Sequence, residues 1–307
     1  MLPAFLTTIF FSLSAICGNR STRLIGGVSA NFWRLSVAAV LLSIWAFTGG
    51  QGLGGAAVRV FLLSGFIGIG LGDVAFFQTL PRLGPKLTVM IVQCLAAPFG
   101  ALFEWLWLGT RLTSNQILFG LIILAGIAAS LAPAKNSQIQ KDQLFQGTLF
   151  GLLAASGTAA GAVISRHAYA ISEQHHSHID GGTAAFQRIF GGLSLAAIFF
   201  GINKWRSRDS LQSGSRGNET LEMEKSKWQR AVPWILANGL LGQTCGVSCY
   251  QWALNNYPTG VVLPIVATTP LMAIPFTYFI DGERPEVRSI VGGVIAVVGV
   301  VGLKLVK

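Results

Sequence analysis

The chain has 307 residues, of which 52% are hydrophobic and only 11% are charged, against about 25% charged in a typical soluble domain. Apolar runs recur along its whole length, which excludes an ordinary soluble domain because no soluble core could bury them all. The net charge of +10 would favour nucleic-acid binding in a soluble protein. Here the basic residues lie between the apolar runs or at their ends and form no basic stripe, so we expect no nucleic-acid partner.

Ten apolar runs are long enough, or nearly so, to cross the roughly 30 Å hydrocarbon core of a bilayer. In chain order they are 2–18, 32–48, 58–80, 86–108, 116–133, 144–165, 183–202, 231–254, 259–280 and 288–306. We therefore predict an all-α polytopic membrane protein of about ten transmembrane helices, surrounded by the lipid bilayer. Two substantial hydrophilic connections are expected, at 166–182 and at 203–230, and the second is expected to be a solvated loop.

The two halves of the chain resemble each other at a spacing of 173 positions. The matching pairs are Gln78 and Gln251, Pro85 and Pro258, Gly109 and Gly282, Arg111 and Arg284, Gly120 and Gly293, and Gly126 and Gly299. We assign 1–133 to a first five-helix repeat, 134–143 to a linker and 144–307 to a second repeat. Because five is odd, the second repeat enters the membrane from the opposite side, and such inverted repeats are typical of transporters that work by alternating access.

One carboxylate and two arginines lie where charge is costly. Asp73 lies well inside the third apolar run, and an ionisable residue at such a position is a functional candidate by default. It carries a proton, pairs with Arg34 or Arg188, or holds helices together as a polar contact. Arg34 and Arg188 occupy equivalent positions near the starts of runs two and seven, where they bind an anionic substrate group or reach towards the headgroups. We assign all three to coupling or gating.

Glu104, near the end of run four, is expected in the interfacial zone beside tryptophans.

Uncharged polar side chains inside apolar runs suit a cavity near the bilayer midplane. The predicted substrate-binding residues are Gln78, Gln93, Gln243, Tyr250 and Gln251. Hydrogen bonds between helices are the alternative role for each of them.

Three histidines, His175, His176 and His178, resemble a metal-binding tract in the connection before run seven. Neither a cysteine nor a distant histidine completes an obvious site, so we expect no metal ion and no cofactor.

Local motifs repeat in both halves. Phe32-Trp33-Arg34 and Phe186-Gln187-Arg188 open the second helix of each half, Pro98 and Pro270 lie in the fourth helices, and glycines space the fifth helices at Gly120/Gly126 and Gly293/Gly299. The chain resembles the EamA-like members of the drug/metabolite transporter superfamily over essentially its whole length. The short turn after the fourth helix departs from the family in one half, where Thr110 stands in place of the usual glutamate, whereas Glu283 keeps it.

The resemblance implies export or import of amino acids, nucleotide-sugar-like or other metabolites, or drugs, often by proton coupling or exchange. It also implies that both termini are cytoplasmic. Lysine and arginine are more frequent in the connections on the side of the membrane that lacks the termini. Because such connections are usually cytoplasmic, this bias instead predicts termini outside the cell.

We predict a secondary transporter of a small metabolite or drug-like solute, located in the cell (inner) membrane and not an enzyme, that works by alternating access. Proton coupling and exchange are both open, as is assembly into a homo-oligomer. The first alternative is a non-transporting assembly or sensor subunit with 203–230 as its partner surface. The second is a membrane-embedded enzyme, for which the sequence offers no convergent pair of reactive groups.

Overall fold

The computed structural model describes residues 1–131, 140–211, 218–281 and 286–305, and within these ranges it is almost entirely helical and has no strand. The described residues form ten helices. They are α1 (Leu2–Ile25), α2 (Gly27–Thr48), α3 (Val58–Gly84), α4 (Leu87–Leu108), α5 (Ser114–Leu131), α6 (Lys141–Gln174), α7 (Gly181–Leu211), α8 (218–256), α9 (259–281) and α10 (Val287–Leu305). The predicted all-α membrane fold of about ten helices is therefore confirmed.

Nine of the helices in the described part of the chain are long and apolar enough to cross a membrane, and α8 is the exception. This helix comprises Asn218–Asn238, Gly239–Gly246 and Val247–Asn256, and it contains more polar residues than its neighbours, including Gln243 and Gln251. Polar residues within a spanning helix lower its mean hydropathy and face the protein interior rather than lipid.

Contacts between the ends of helices establish that α8 crosses as well. Trp45, at the end of α2, donates from Nε1 to Asp180 Oδ1 before α7 at 2.8 Å, so both lie on one side. Met1 contacts Tyr257, which follows α8, and it lies close enough to Lys304 for an electrostatic interaction. Because Met1 and Tyr257 lie on the same side, an even number of crossings separates them. Helices α1 to α7 supply seven, so α8 must supply the eighth. We call this side the terminal side and the other the distal side.

The helices pair in a pattern that is unchanged when the two halves are exchanged. Helix α2 packs on α7, α4 on α9 and α5 on α10, so each of these helices contacts its own equivalent. Helix α1 packs on α8, and its equivalent α6 packs on α3. This is the arrangement expected of two inverted five-helix repeats.

Close packing of α5 and α10 depends on glycine. A Cβ atom added to Gly126 would lie 2.6 Å from the Ala296 nitrogen and from the Gly292 oxygen. At the equivalent Gly299, a Cβ atom would lie 2.7 Å from Ile123 Cγ1. Small residues let two membrane helices approach this closely, which is how these helices associate without a hydrophobic driving force.

Two turns of π-helix lie at equivalent positions, Phe66–Leu71 in α3 and Gly239–Gly246 in α8. Gly65, just before the first, packs directly against the backbone of Arg188 on α7. At Gly239, which begins the second, a Cβ atom would lie 3.0 Å from the carbonyl oxygen of Arg34 on α2. The backbone at each arginine therefore packs closely beside the π-turn of the opposite half. Such turns occur frequently at functional sites.

The hydrophilic segment 203–230, which we predicted as a solvated loop, is helical through Leu211 and again from Asn218. Lysine, arginine and glutamate have good helix propensity, so a polar composition does not by itself end a helix. The connection 166–182 is likewise shortened, because α6 continues to Gln174. Residues 132–139, which include most of the predicted linker, and the turn 282–285, which includes Glu283, lie outside the described residues.

Candidate functional site

Asp73 pairs with Arg34, one of the two partners considered from the sequence. Arg34 Nη2 donates to Asp73 Oδ2 at 2.9 Å, and Arg34 Nε donates to Asn31 Oδ1 at 2.8 Å. The side chains of the pair are 21% and 25% exposed. Arg34 is the eighth residue of α2, which begins on the distal side, so this partly exposed ion pair lies inside the spanning segment, towards the distal side.

Arg188, the equivalent of Arg34, lies in a different environment. It is only 3% exposed, and its Nε has no hydrogen-bond partner among the described residues. Its guanidinium carbon lies 5.7 Å from the ring centroid of Tyr250 on α8, and Tyr169 on α6 is close enough to interact electrostatically. The residue equivalent to Asp73 at the 173-residue spacing is Gly246, so the second half has no carboxylate at that position.

Several buried polar atoms in the second half have no hydrogen-bond partner among the described residues, and two of them belong to the tyrosines that interact with Arg188. The hydroxyl groups of Tyr169 and Tyr250 are buried and have no hydrogen-bond partner in the described structure. The same is true of Gln243 Oε1 and of both amide atoms of Gln251. Each unsatisfied buried group costs about 1–3 kcal/mol, so the two unpaired tyrosine hydroxyls beside a buried arginine need an explanation, such as a ligand. We call Arg188, Tyr169 and Tyr250 the arginine cluster.

Three of the five predicted substrate-binding residues share a buried face of α8. Gln243 precedes Tyr250 and Gln251 by about two helical turns, and all three are less than 9% exposed. Gln78 lies elsewhere, because it is exposed and its Oε1 accepts from Arg82 Nη1 at 3.0 Å. Gln93 is half-buried on α4. The equivalent glutamines Gln78 and Gln251 thus have different surroundings, and the substrate-binding assignments stay predictions.

The structure brings together a second ion pair that sequence reasoning did not place in the site. Arg166 Nε on α6 lies 3.1 Å from Glu104 Oε1 on α4. Glu104 is only 2% exposed, with Arg166 beside one oxygen and the amide of Thr259 donating to the other. One sequence feature could have indicated the importance of Glu104: it and Asp73 are the two carboxylates inside the apolar runs.

On the terminal side, side-chain contacts join the two halves. Besides Arg166 with Glu104 and Trp45 with Asp180, Gln51 Nε2 donates to the carbonyl oxygen of His178 at 2.8 Å. We call these three pairs the terminal seal. Burial raises the pKa of Asp180, but hydrogen bonds from Thr183, Trp45 and the backbone outweigh it, so that this pKa lies below its ordinary value.

A cavity of about 640 Å³ lies at the periphery, between α4, α5 and α9. Its lining includes Leu102, Trp105, Ile117 and Leu121, all of which are large, apolar and exposed. In a bilayer, side chains of this kind face lipid. The cavity contains none of the predicted site residues, so we do not assign substrate binding to it.

Comparison with known proteins agrees with this geometry. The model of the EamA-like transporter family matches residues 1–132 and 145–305, once in each half. A solved crystal structure, which is 14% identical to this chain, superposes with a TM-score of 0.73 and covers 99% of this chain and 96% of that chain. At that identity the likeness concerns the fold alone. None of the curated proteins compared matches the chain. This integral membrane protein belongs to the EamA-like transporter family, whose members carry small solutes across membranes.

Proposed function

We propose that the protein is a secondary transporter that moves a small metabolite or drug-like solute across the cell's inner membrane by alternating access. The observation that carries this proposal is the contrast between two equivalent residues. Arg34 is only partly buried, with 21% of its side chain exposed, whereas Arg188 is buried, with 3% of the whole residue exposed. Two inverted repeats in different conformations produce such a contrast, because one side is open while the other is closed.

Exchange of the two conformations would bring the substrate site to the other side. The terminal seal must then separate, because its three pairs join residues of different halves. Arg188 would become accessible from the terminal side, and the surroundings of Arg34 would close. Gln243, Tyr250 and Gln251, on the buried face of α8, would contact the solute between the halves.

Asp73 is proposed as the coupling carboxylate. Protonation would remove its charge and release Arg34, so that one proton could change the strength of a contact between α2 and α3. If transport is proton-coupled in this way, Asp73→Asn abolishes the dependence of uptake on a pH gradient while exchange of solute between two compartments continues. Unchanged proton-driven uptake in Asp73→Asn would remove Asp73 from this role.

A disulfide across the terminal side tests alternating access itself. A Cβ atom on Gly50 would lie against Thr183 Oγ1, so cysteines at these positions are close enough to be joined. The pair is introduced after the native cysteines Cys17, Cys94, Cys245 and Cys249 have been replaced by alanine.

The transported solute is first identified by an untargeted comparison of metabolites in cells that lack and cells that overproduce the protein. Uptake of that solute is then measured in vesicles.

Oxidation of Gly50→Cys/Thr183→Cys should stop uptake, and a reducing agent should restore it. Each single cysteine variant is the control and should be insensitive to oxidation. Full uptake by the cross-linked protein would exclude alternating access through the terminal side.

A further inference from the structure

The arginine cluster contains a buried positive charge without a counter-ion in the described structure. Arg188 is 3% exposed and its Nε is unpaired among the described residues, and the centroid of the Tyr250 ring lies 5.7 Å from its guanidinium carbon. A buried charge is normally paired, because removal from water is costly. A protein that maintains an unpaired one in its interior therefore leaves a position for an anion from outside the chain.

The equivalent arginine indicates what kind of group is missing. Arg34 has a carboxylate oxygen at 2.9 Å, supplied by Asp73. Gly246 occupies the corresponding position of the second half and has no side chain to supply one. The first half therefore neutralises its arginine internally, whereas the second half does not.

The surroundings of Arg188 suit an anion. Tyr169 and Tyr250 each have an unpaired buried hydroxyl, which can donate a hydrogen bond to an oxygen held by the guanidinium. Gly68, in the π-turn of α3, leaves room for this head group, because a Cβ atom there would lie 3.1 Å from Arg188 Nη2. A planar guanidinium with two hydroxyl donors matches the oxygens of a carboxylate or a phosphate.

We infer that the transported solute carries a carboxylate or phosphate group and that Arg188 binds this group, with Tyr169 and Tyr250 as additional donors. This inference rests on the proposed transport function, since it names the chemical class of the solute. The remainder of the solute would lie along the face of α8 that carries Gln243 and Gln251. Arg34 does not bind the anion, because Asp73 already neutralises it.

Thermal unfolding of the purified, detergent-solubilised protein tests the site without knowledge of the solute. Unfolding is followed with inorganic phosphate, with acetate and with chloride at equal ionic strength. Phosphate or acetate should raise the Tm of the wild type above its value in chloride, because a ligand that binds the folded state stabilises it. Arg188→Gln should remove that increase, and Arg188→Lys should keep part of it. An equal increase in Arg188→Gln and the wild type would overturn the assignment.

The equivalent arginine is the matched control. Arg34→Gln should keep the anion-dependent increase, although it leaves Asp73 without its partner and lowers the Tm without ligand. Arg188→Gln should leave the ligand-free Tm unchanged or raise it, because an uncompensated buried charge is removed. A large fall in the ligand-free Tm of Arg188→Gln would mean that Arg188 has a structural partner, which would also overturn the inference.

A parallel sample with phosphatidylglycerol distinguishes a lipid headgroup from a soluble anion. Stabilisation through Arg188 by the lipid, but not by phosphate or acetate, would overturn assignment to a solute. Vesicle uptake separates this inference from the function on which it rests. Arg188-dependent anion binding without any uptake would overturn transport and keep the site, whereas uptake of a cationic or neutral solute that is insensitive to Arg188→Gln would keep transport and overturn the inference.

Discussion

Arg166 and Glu104 form an ion pair of 3.1 Å that joins α6 of the second half to α4 of the first. Because Glu104 also accepts from the amide of Thr259, three helices meet at this carboxylate on the terminal side. The distal side has different chemistry at the equivalent positions. Thr277 corresponds to Glu104, and Arg20, which corresponds to Arg166, lies over the ring of Trp234 at 4.3 Å. The equivalent positions on the two sides therefore make different interactions.

Glu104→Gln should weaken closure of the terminal side. The substitution leaves the partly exposed Arg166 without its counter-ion while it keeps a polar group at the position, and loss of one partner from a buried pair is destabilising. With Gln251→Cys as a reporter in a background without the native cysteines, the rate of labelling by a membrane-impermeant maleimide should rise several-fold. The control is Asp142→Asn at the exposed start of α6. Equal labelling rates with and without Glu104→Gln would show that the pair does not close this side.

Gly126→Ala should destabilise the protein, although alanine is the better helix former. Its methyl group would lie 2.6 Å from backbone atoms of α10, which cannot move aside as a flexible side chain can. We expect a loss of about 1–3 kcal/mol from overpacking. Thermal unfolding in detergent measures the effect.

Gly293→Ala is the matched variant, since nothing lies within 4 Å of a Cβ atom at that position. It should be neutral or stabilising by up to about 1 kcal/mol, through helix propensity alone. Equal Tm values for the two variants would contradict glycine-dependent packing of α5 on α10.

Gly65→Ala should be more damaging than Gly72→Ala. The added methyl group at Gly65 would collide with the backbone of Arg188, whereas at Gly72 the nearest atom would be 3.7 Å away, at ordinary contact distance. If Gly65 could no longer pack against the backbone of Arg188, α3 would be displaced from α7 and the guanidinium of Arg188 would move. We expect a lower yield of folded protein and a lower Tm for Gly65→Ala, measured by size-exclusion chromatography and thermal unfolding. Similar behaviour of the two variants would show that the contact is not required.

The contribution of Asp180 to stability should be lost only in acid. Because the pKa of Asp180 is lower in the folded protein, its contribution is fully present above the ordinary aspartate pKa of about 3.9 and falls as pH drops through the lowered value. Asp180→Asn should therefore have a lower Tm than the wild type at pH 7, and the difference should shrink below about pH 4. A difference that stays constant from pH 7 to pH 3 would contradict this assignment, and Glu173→Gln, at an exposed position, is the control.

Sequence patterns were sufficient for features that depend on hydrophobic length and on repetition. Apolar runs located all ten helices, and the 173-residue spacing aligned Gly126 with Gly299, which occupy corresponding places in the packing of α5 on α10. The pairing of Asp73 was restricted to two arginines, of which the structure selects Arg34. Polar composition was a poor guide to the segment 203–230, because charged residues extend helices beyond the membrane.

What could not be predicted depends on which elements approach each other in three dimensions. Gln78 and Gln251 are equivalent in sequence, yet one bonds to Arg82 at the surface and the other is completely buried. Glu104 is buried because α6 brings Arg166 to it from 62 positions away along the chain. Likewise, the unpaired state of Arg188 follows from the residue at Gly246, and no local pattern around Arg188 reveals it.

The two π-helical turns have a mechanical consequence. Each lies near the middle of its spanning segment, in α3 and in α8, so each is near the centre of the bilayer. A helix bends most readily where its regular hydrogen-bond pattern is interrupted. A rod that pivots at its midpoint moves its two ends in opposite directions, so tilting α3 and α8 about these turns would widen the protein at one membrane surface and narrow it at the other. We therefore expect the cross-section at the bilayer centre to change little during transport.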